Sequence, residues 1–417
     1  MGTKPVVHIY EPTMIREVLA DYKKYQKLRG GNPLTKLLVR GLVDVEGDQW
    51  VKHRKIINPA FHMDKLKHMI PAFYVSCSEM IDKWDSFLTK ESLCEVEVWS
   101  YLLKFASNVI SRTAFGSSFE EGRKIFELQR ELAELTVKAL NSLYIPGSRF
   151  LPTKNNKRMK EIDQQVRGLI MNIINKRITA MKAGEASHDD LLGILLDSNY
   201  KEMKQGNSNS GLSLEDIIQE CKVFYFAGLE TTGNMLVWTM ILLGRYLEWQ
   251  TRAREEVLQV FGDKKPSIDG LGHLKVMNII FNEVFRLYSP AVVLRRLTHE
   301  ETQLGNLTLP AGTIIQINLL ILHHDKDMWG EDVHEFKPER FSEGVSKVTK
   351  GQAVYLPFGG GPRICIGQNF SILEAKMAIA MILQRFSFEL SPSYSHAPHA
   401  MPALQPQFGA HLILKKL

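Results

Sequence analysis

Cysteine is scarce in this chain: four residues in 417, Cys77, Cys94, Cys221 and Cys365, with no C-x-x-C pair among them. That spacing suits neither a disulfide framework nor a zinc finger and points to a reducing compartment or a cytosol-facing surface. A concentrated basic face is missing too. The formal net charge is only +6, and the basic residues are scattered, with small clusters such as 154–160 (KNNKRMK) expected on a loop, which argues against nucleic-acid binding. A mildly basic surface suits an anionic membrane or an acidic protein partner; a solvated lysine-rich surface explains it equally well. Long unbroken apolar runs are also lacking. The one segment of spanning length, 223–247, is interrupted by Glu230, Thr231, Thr232 and Asn234. Charge at mid-membrane is costly, so this segment reads as a core helix with a polar notch. No signal peptide or anchor is expected at the N-terminus, and neither an internal repeat nor a domain linker is visible.

What is present suffices for a large core: 44% of residues are hydrophobic and 24% charged. Helical periodicity covers 12–25, 64–88, 97–114, 122–143, 159–182 and 191–199. A polar, glycine-containing loop is expected at 201–211. Ser213, with Glu215 and Asp216 behind it, then reads as the cap and acidic first turn of a long helix running to Leu247. Another helix covers 276–288 and stops before Pro290. Strand-like runs lie at 6–10, 303–309, 313–320 and 411–415, the middle two separated by a Pro310-Ala311-Gly312 turn. An irregular stretch covers 329–357, and a last helix spans 366–386. The expectation is a single domain, 1–417, mainly α with a small β portion. Cys77, Cys94 and Cys221 fall in helical-looking segments and read as buried small hydrophobes.

Cys365 differs, because its surroundings are unusual. Residues 358–367 read FGGGPRICIG. Consecutive glycines and a proline force a tight loop that ends at a cysteine beside a helix start. There the positive end of the helix dipole favours thiolate, the metal-ligating form, over thiol. Arg363 adds a positive charge suited to an anionic cofactor group. No histidine lies between Lys350 and Leu390, so zinc and copper are poorly supported. A lone thiolate suits a cofactor that brings its other four ligands, which is haem. The competing reading is a glycine loop with an incidental buried cysteine.

The spacing Phe358-x-x-Gly361-x-Arg363-x-Cys365-x-Gly367 resembles the haem-loop signature of the cytochrome P-450 superfamily. Upstream, Ala227-Gly228-Leu229-Glu230-Thr231-Thr232 resembles that family's oxygen-activation motif. Glu283-Val284-Phe285-Arg286 matches its E-x-x-R motif, Pro338-Glu339-Arg340-Phe341 its P-E-R-F motif, and Trp50-x-x-x-Arg54 its haem-propionate element. Five motifs in family order span essentially the whole chain. Segments 109–122 and 144–160 are further similar to a plant clan that includes secologanin synthase-like enzymes. Leu229 stands where glutamine is common in that clan, and Leu247 where proline is usual. Membrane-bound members carry an anchor, a proline-rich hinge, a first helix and a first strand ahead of the point where this sequence begins. The expected fold is therefore the cytochrome P-450 fold without those N-terminal parts.

The resemblance implies a monooxygenase that inserts one atom of O2 into a small lipophilic substrate, a terpenoid or hormone-like compound. It implies haem b held by Cys365, with Phe358 and Gly367 shaping the loop and Trp50, Arg54, Arg296 and Arg363 receiving the propionates; Arg295 is the alternative to Arg296. Thiolate ligation favours oxygen–oxygen cleavage. Thr231 and Glu230 are implied to deliver protons, Glu230 from the solvent side. Glu283, Arg286 and Arg340 form a structural triad, since buried charges persist only when paired. Phe224, Phe226 and Ala227, with Val292, Val293 and Leu294, are candidates for an apolar pocket, and core packing explains them almost as well. Electrons are expected from NADPH through a flavoprotein reductase, with the full-length form on the cytosolic face of the endoplasmic reticulum membrane and the protein a monomer. The rival readings are a haem-thiolate isomerase or dehydratase, which needs no proton relay to dioxygen, and a truncated paralogue without function.

Overall fold

A computed structural model of the chain describes residues 5–28, 32–88, 93–116, 119–142, 145, 147–185, 190–205 and 211–417. Its longest helix, Leu214–Arg245, starts where the sequence says it should. The Ser213 hydroxyl accepts from the Asp216 backbone N–H at 3.1 Å, and Asp216 Oδ2 accepts from the Ser213 N–H at 3.1 Å. This reciprocal cap satisfies two otherwise orphaned donors. Ser213→Ala is therefore expected to cost about 1 kcal/mol, read as a lower denaturation midpoint. From Ile217 onward most of the helix is buried, Trp238 completely. Among the described residues no helix is long and apolar enough to cross a membrane.

The chain divides into two compact units. One comprises Gln26–Met69 and Ser107–Leu229, the other Pro5–Tyr25, Ile70–Ala106 and Glu230–Leu417. In the first, Ile162, Val166, Ile170 and Ile174 are buried at helical spacing along Lys154–Lys182, and Phe115 stacks on Tyr225 at 4.1 Å. In the second, helix Lys275–Leu287 buries Met277, Ile280, Phe281, Val284 and Phe285, the i, i+3, i+4, i+7 stripe of a core-facing helix. Helix Gln368–Arg385 is buried on nearly every face from Leu373 to Leu383.

The β portion is small. Strand Val6–His8 pairs parallel with Ile314–Asn318, which pairs antiparallel with Val293–Thr298. His411–Lys416 lies between Leu93–Glu97 and Phe386–Leu390, antiparallel to both. Thr302–Leu304 and Leu307–Leu309 form a hairpin.

Several local expectations need correction. The first helix is Pro12–Ala20 and does not reach 25; Asp21 Oδ1 accepts from the Lys23 and Lys24 N–H groups instead, an alternative that ends helices. The basic cluster at 154–160 is helical, not a loop, because the Thr153 hydroxyl caps the helix by accepting from the Asn156 N–H. Helix Leu191–Gln205 takes in the start of the segment expected to be a loop, and 206–210 lie outside the described residues. Cys94 is half-buried on strand Leu93–Glu97, paired with Leu414, rather than buried in a helix. Cys77 and Cys221 are buried as expected, and burial pushes both thiols up. Helices Gly47–Ile57 and Leu247–Phe261 went unpredicted. The break between Arg245 and Leu247 is one non-helical residue, Tyr246, two residues after Gly244 and with no proline to mark it.

Candidate active site

Glycine lets the chain turn before Cys365. Gly359 and Gly361 take φ of 73° and 66°, where a side chain is strained. A Cβ on Gly361 would lie 2.1 Å from the Leu19 carbonyl oxygen, so this approach admits glycine alone. The Phe358 carbonyl accepts from the Cys365 N–H at 2.9 Å, closing the loop. Helix Gln368–Arg385 follows its N-cap Gly367, so Cys365 lies just ahead of a positive helix end. Unlike Cys77 and Cys221, Cys365 is exposed, which removes the buried-cysteine alternative. The Phe358 ring packs edge-on against Phe285 at 4.9 Å, and the Arg363 guanidinium lies 5.8 Å from the Tyr22 ring centroid.

Phe285 belongs to the E-x-x-R helix, whose charged pair is fully buried. Arg286 grips Glu283 with two of its nitrogens, Nε to Oε2 at 2.8 Å and Nη2 to Oε1 at 2.6 Å, the bidentate geometry that suits guanidinium and carboxylate. Arg286 also donates to the carbonyls of His323, Val333 and Glu335, and Glu283 accepts from the Lys337 N–H at 3.0 Å. Arg340 completes the group as an ion pair, Nε at 3.6 Å from Glu283 Oε1. Its Nη2 pairs with Asp332 at 3.0 Å, and its guanidinium donates to the Trp329 and Asp332 carbonyls. The irregular stretch upstream of the cysteine loop is thus wrapped around two guanidinium groups. His323 adds another tie: its Nε2 accepts from the Leu356 N–H at 3.1 Å, and burial holds the imidazole far below its ordinary value, at about 3, so it stays neutral.

On the central helix, Thr231 is exposed while Leu229, Glu230 and Thr232 on either side are buried. Glu230 is 4% exposed, so it does not sit on the solvent side. Asn234 Nδ2 donates to the Glu230 carbonyl at 2.7 Å, a side-chain bond inside the helix at the polar notch. Gly228 and Gly233 bring this helix close to its neighbour: added Cβ atoms would meet Ile110 at 2.9 Å and Leu103 at 2.7 Å.

Trp50 (buried) and Arg54 (half-buried) lie four residues apart on helix Gly47–Ile57 and share a face. Between them, His53 Nδ1 meets Glu220 Oε1 at 2.5 Å, both side chains fully buried. Burial pushes the Glu220 carboxyl up while His53 opposes it. No sequence motif signalled this pair. Arg296 is buried on strand Val293–Thr298. Its neighbour Arg295 is engaged with the Gln316 side chain at 2.9 Å, and strand alternation sends the two to opposite faces. Of the pocket candidates, Phe224 is buried and stacked on Phe61 at 5.4 Å, a core position. Phe226, Ala227, Val292, Val293 and Leu294 are half-buried.

Among the described residues no cluster of three His, Cys, Asp or Glu side chains forms a metal site. An exposed cysteine sulfur at a helix start, outside any such cluster, fits a metal that brings its other ligands with it, which is the haem case.

Comparison with known proteins agrees. The fold superposes on a solved structure described as retinoic acid bound cyanobacterial CYP120A1, with a TM-score of 0.85 and 23% identity, covering 99% of this chain and 90% of that one. The chain belongs to the cytochrome P450 family, whose sequence model matches residues 1–409. Several plant proteins are similar to it over its whole length. It is 60% identical over 419 residues to cytochrome P450 CYP72A219 of Panax ginseng, and 57% identical over 422 residues to 7-deoxyloganic acid hydroxylase of Catharanthus roseus. Each match takes in all of this chain and 81% of the relative. Cytochrome P450 72A13 of Arabidopsis thaliana is 54% identical over 417 residues. The chain is a cytochrome P450 monooxygenase of the haem-thiolate class, using O2.

Proposed function

We propose that this chain is an NADPH-dependent hydroxylase of a small lipophilic terpenoid or hormone-like molecule, acting as one haem-thiolate domain. The observation that carries the reading is the exposed Cys365 at the end of its glycine loop, on the same chain as an exposed Thr231 between buried neighbours on its helix. Cys365 would bind the haem iron, and Trp50, Arg54, Arg296 and Arg363 would hold the propionates. Haem in this setting supplies oxygen activation and insertion of one oxygen atom into a C–H bond. The Thr231 hydroxyl holds a proton donor at the oxygen-binding side, with Glu230 as the carboxyl behind it, buried within the helix packing. Phe226, Ala227, Val292, Val293 and Leu294 are the half-buried apolar residues offered for substrate contact. A relative named as a hydroxylase supports hydroxylation over isomerisation. Electrons would come from a flavoprotein reductase, and the protein would sit on the cytosolic face of the endoplasmic reticulum as a monomer.

Thr231→Ala tests the proton role. The variant should bind haem and substrate normally but lose product per NADPH by about tenfold or more, the scale of one ordered donor at a developing charge. The lost equivalents should appear as peroxide or water. Thr232, buried and about 100° further round the helix, should lose only about threefold when changed to alanine, the scale of one neutral hydrogen bond. Unchanged coupling in Thr231→Ala, or an equal loss in both variants, contradicts this assignment and favours oxygen-independent chemistry.

A further inference from the structure

Glu374 lies nine residues beyond Cys365, on helix Gln368–Arg385, and is completely buried. Both of its carboxyl oxygens are closed off from solvent, and neither completes a hydrogen bond of ordinary geometry. The polar side chain that acts on it is the hydroxyl of Thr232, itself 3% exposed. Among the described residues no cation balances it: Lys376, two residues on, donates instead to the Leu271 carbonyl at 2.8 Å. Above and below it the helix packs through Phe370, whose ring meets Phe73 edge-on at 5.1 Å, and Ala378, whose carbonyl faces the Cys77 sulfur at 4.0 Å. An ionised carboxylate is not tolerated in such a place without a partner; the neutral acid is, because it needs only hydrogen bonds. Burial accordingly pushes the Glu374 carboxyl well above the usual carboxylate range, with only the Thr232 hydroxyl opposing.

A buried carboxyl is expensive to keep where leucine would fill the same space, and this one sits behind the residue next to Thr231. We infer that Glu374 is a positioning residue for oxygen activation, whose buried carboxyl group holds the Thr232 hydroxyl from behind and so fixes the rotation of the helix turn that presents Thr231. A hydrogen bond between the two would satisfy one of the two unpartnered carboxyl oxygens, and an ordered water is the natural partner for the other. The inference rests on the proposed role of Thr231 and extends it to a second helix, the one that begins after Cys365.

The test uses the full chain with haem and has two arms. The first is infrared difference spectroscopy of the purified protein without turnover. Wild type minus Glu374→Gln should show the C=O band of a protonated carboxylic acid that persists at pH 8, when ordinary carboxyl groups are ionised. A carboxylate band in its place overturns the inference. The second arm measures peroxide and product per NADPH. Glu374→Gln keeps a neutral hydrogen-bonding group and should couple as wild type does. Glu374→Leu should be at least as stable as wild type but lose about threefold in coupling, the scale of one neutral hydrogen bond. Thr232→Val should match it, and the double variant should lose no more than either single one, since both remove the same contact. Normal coupling in Glu374→Leu, or additive losses in the double variant, overturns the inference. Should Glu374→Leu fail to fold, the infrared band and Thr232→Val still decide. Normal coupling in Thr231→Ala would instead defeat the underlying proton reading, leaving the infrared result intact.

Discussion

Replacing Glu283 with alanine is expected to leave little soluble, haem-loaded protein, although Glu283 takes no part in the chemistry. The side chain is 0% exposed and, among the described residues, is the only carboxylate bonded to Arg286, which is equally buried. Without it, Arg286 keeps three backbone carbonyls but no counter-charge, and the Lys337 N–H loses its acceptor. Arg340 suffers less, because Asp332 still pairs with it. Removing one partner of a buried pair costs about 3–5 kcal/mol, against a total stability of roughly 5–15 kcal/mol. The damage should spread to the cysteine loop, since the 323–340 segment is hung on these guanidinium groups and Phe285 of the same helix packs on Phe358. The measurement is haem content and melting temperature of the purified variant beside Glu283→Gln, which keeps an acceptor and should fall between the two. Soluble, haem-replete Glu283→Ala protein with an unchanged melting temperature would show that the pair is not structural.

Much of this architecture was legible in the sequence, for identifiable reasons. The glycines at 359 and 361 announce a loop because their backbone angles and the closeness of Leu19 admit no side chain. Ser213 with Asp216 announces a helix start because capping is local chemistry within four residues. Glu283 and Arg286 lie one helical turn apart, so their pairing follows from spacing alone. What stayed hidden depends on long-range packing. Nothing in the local sequence shows that Glu230 is buried, that helix Lys154–Lys182 begins inside a run of lysines, or that His53 meets Glu220 across 167 positions. Glu374 left a faint trace, an acid in the mostly apolar stretch 373–383, but only its packing shows that, among the described residues, no cation balances it.

The central claim is that Cys365 is the protein ligand of the haem iron. It is tested most directly by the absorption spectrum of the reduced carbon-monoxide complex in wild type, Cys365→Ala and Cys221→Ala. A thiolate opposite the carbon monoxide moves the Soret band strongly to the red. Wild type and Cys221→Ala should show that band, because Cys221 is buried and its thiol is held protonated. Cys365→Ala should lose it completely, either through haem loss or through a spectrum without thiolate character. A Cys365→Ala protein that keeps the red-shifted band, above all if Cys221→Ala loses it, would contradict the account.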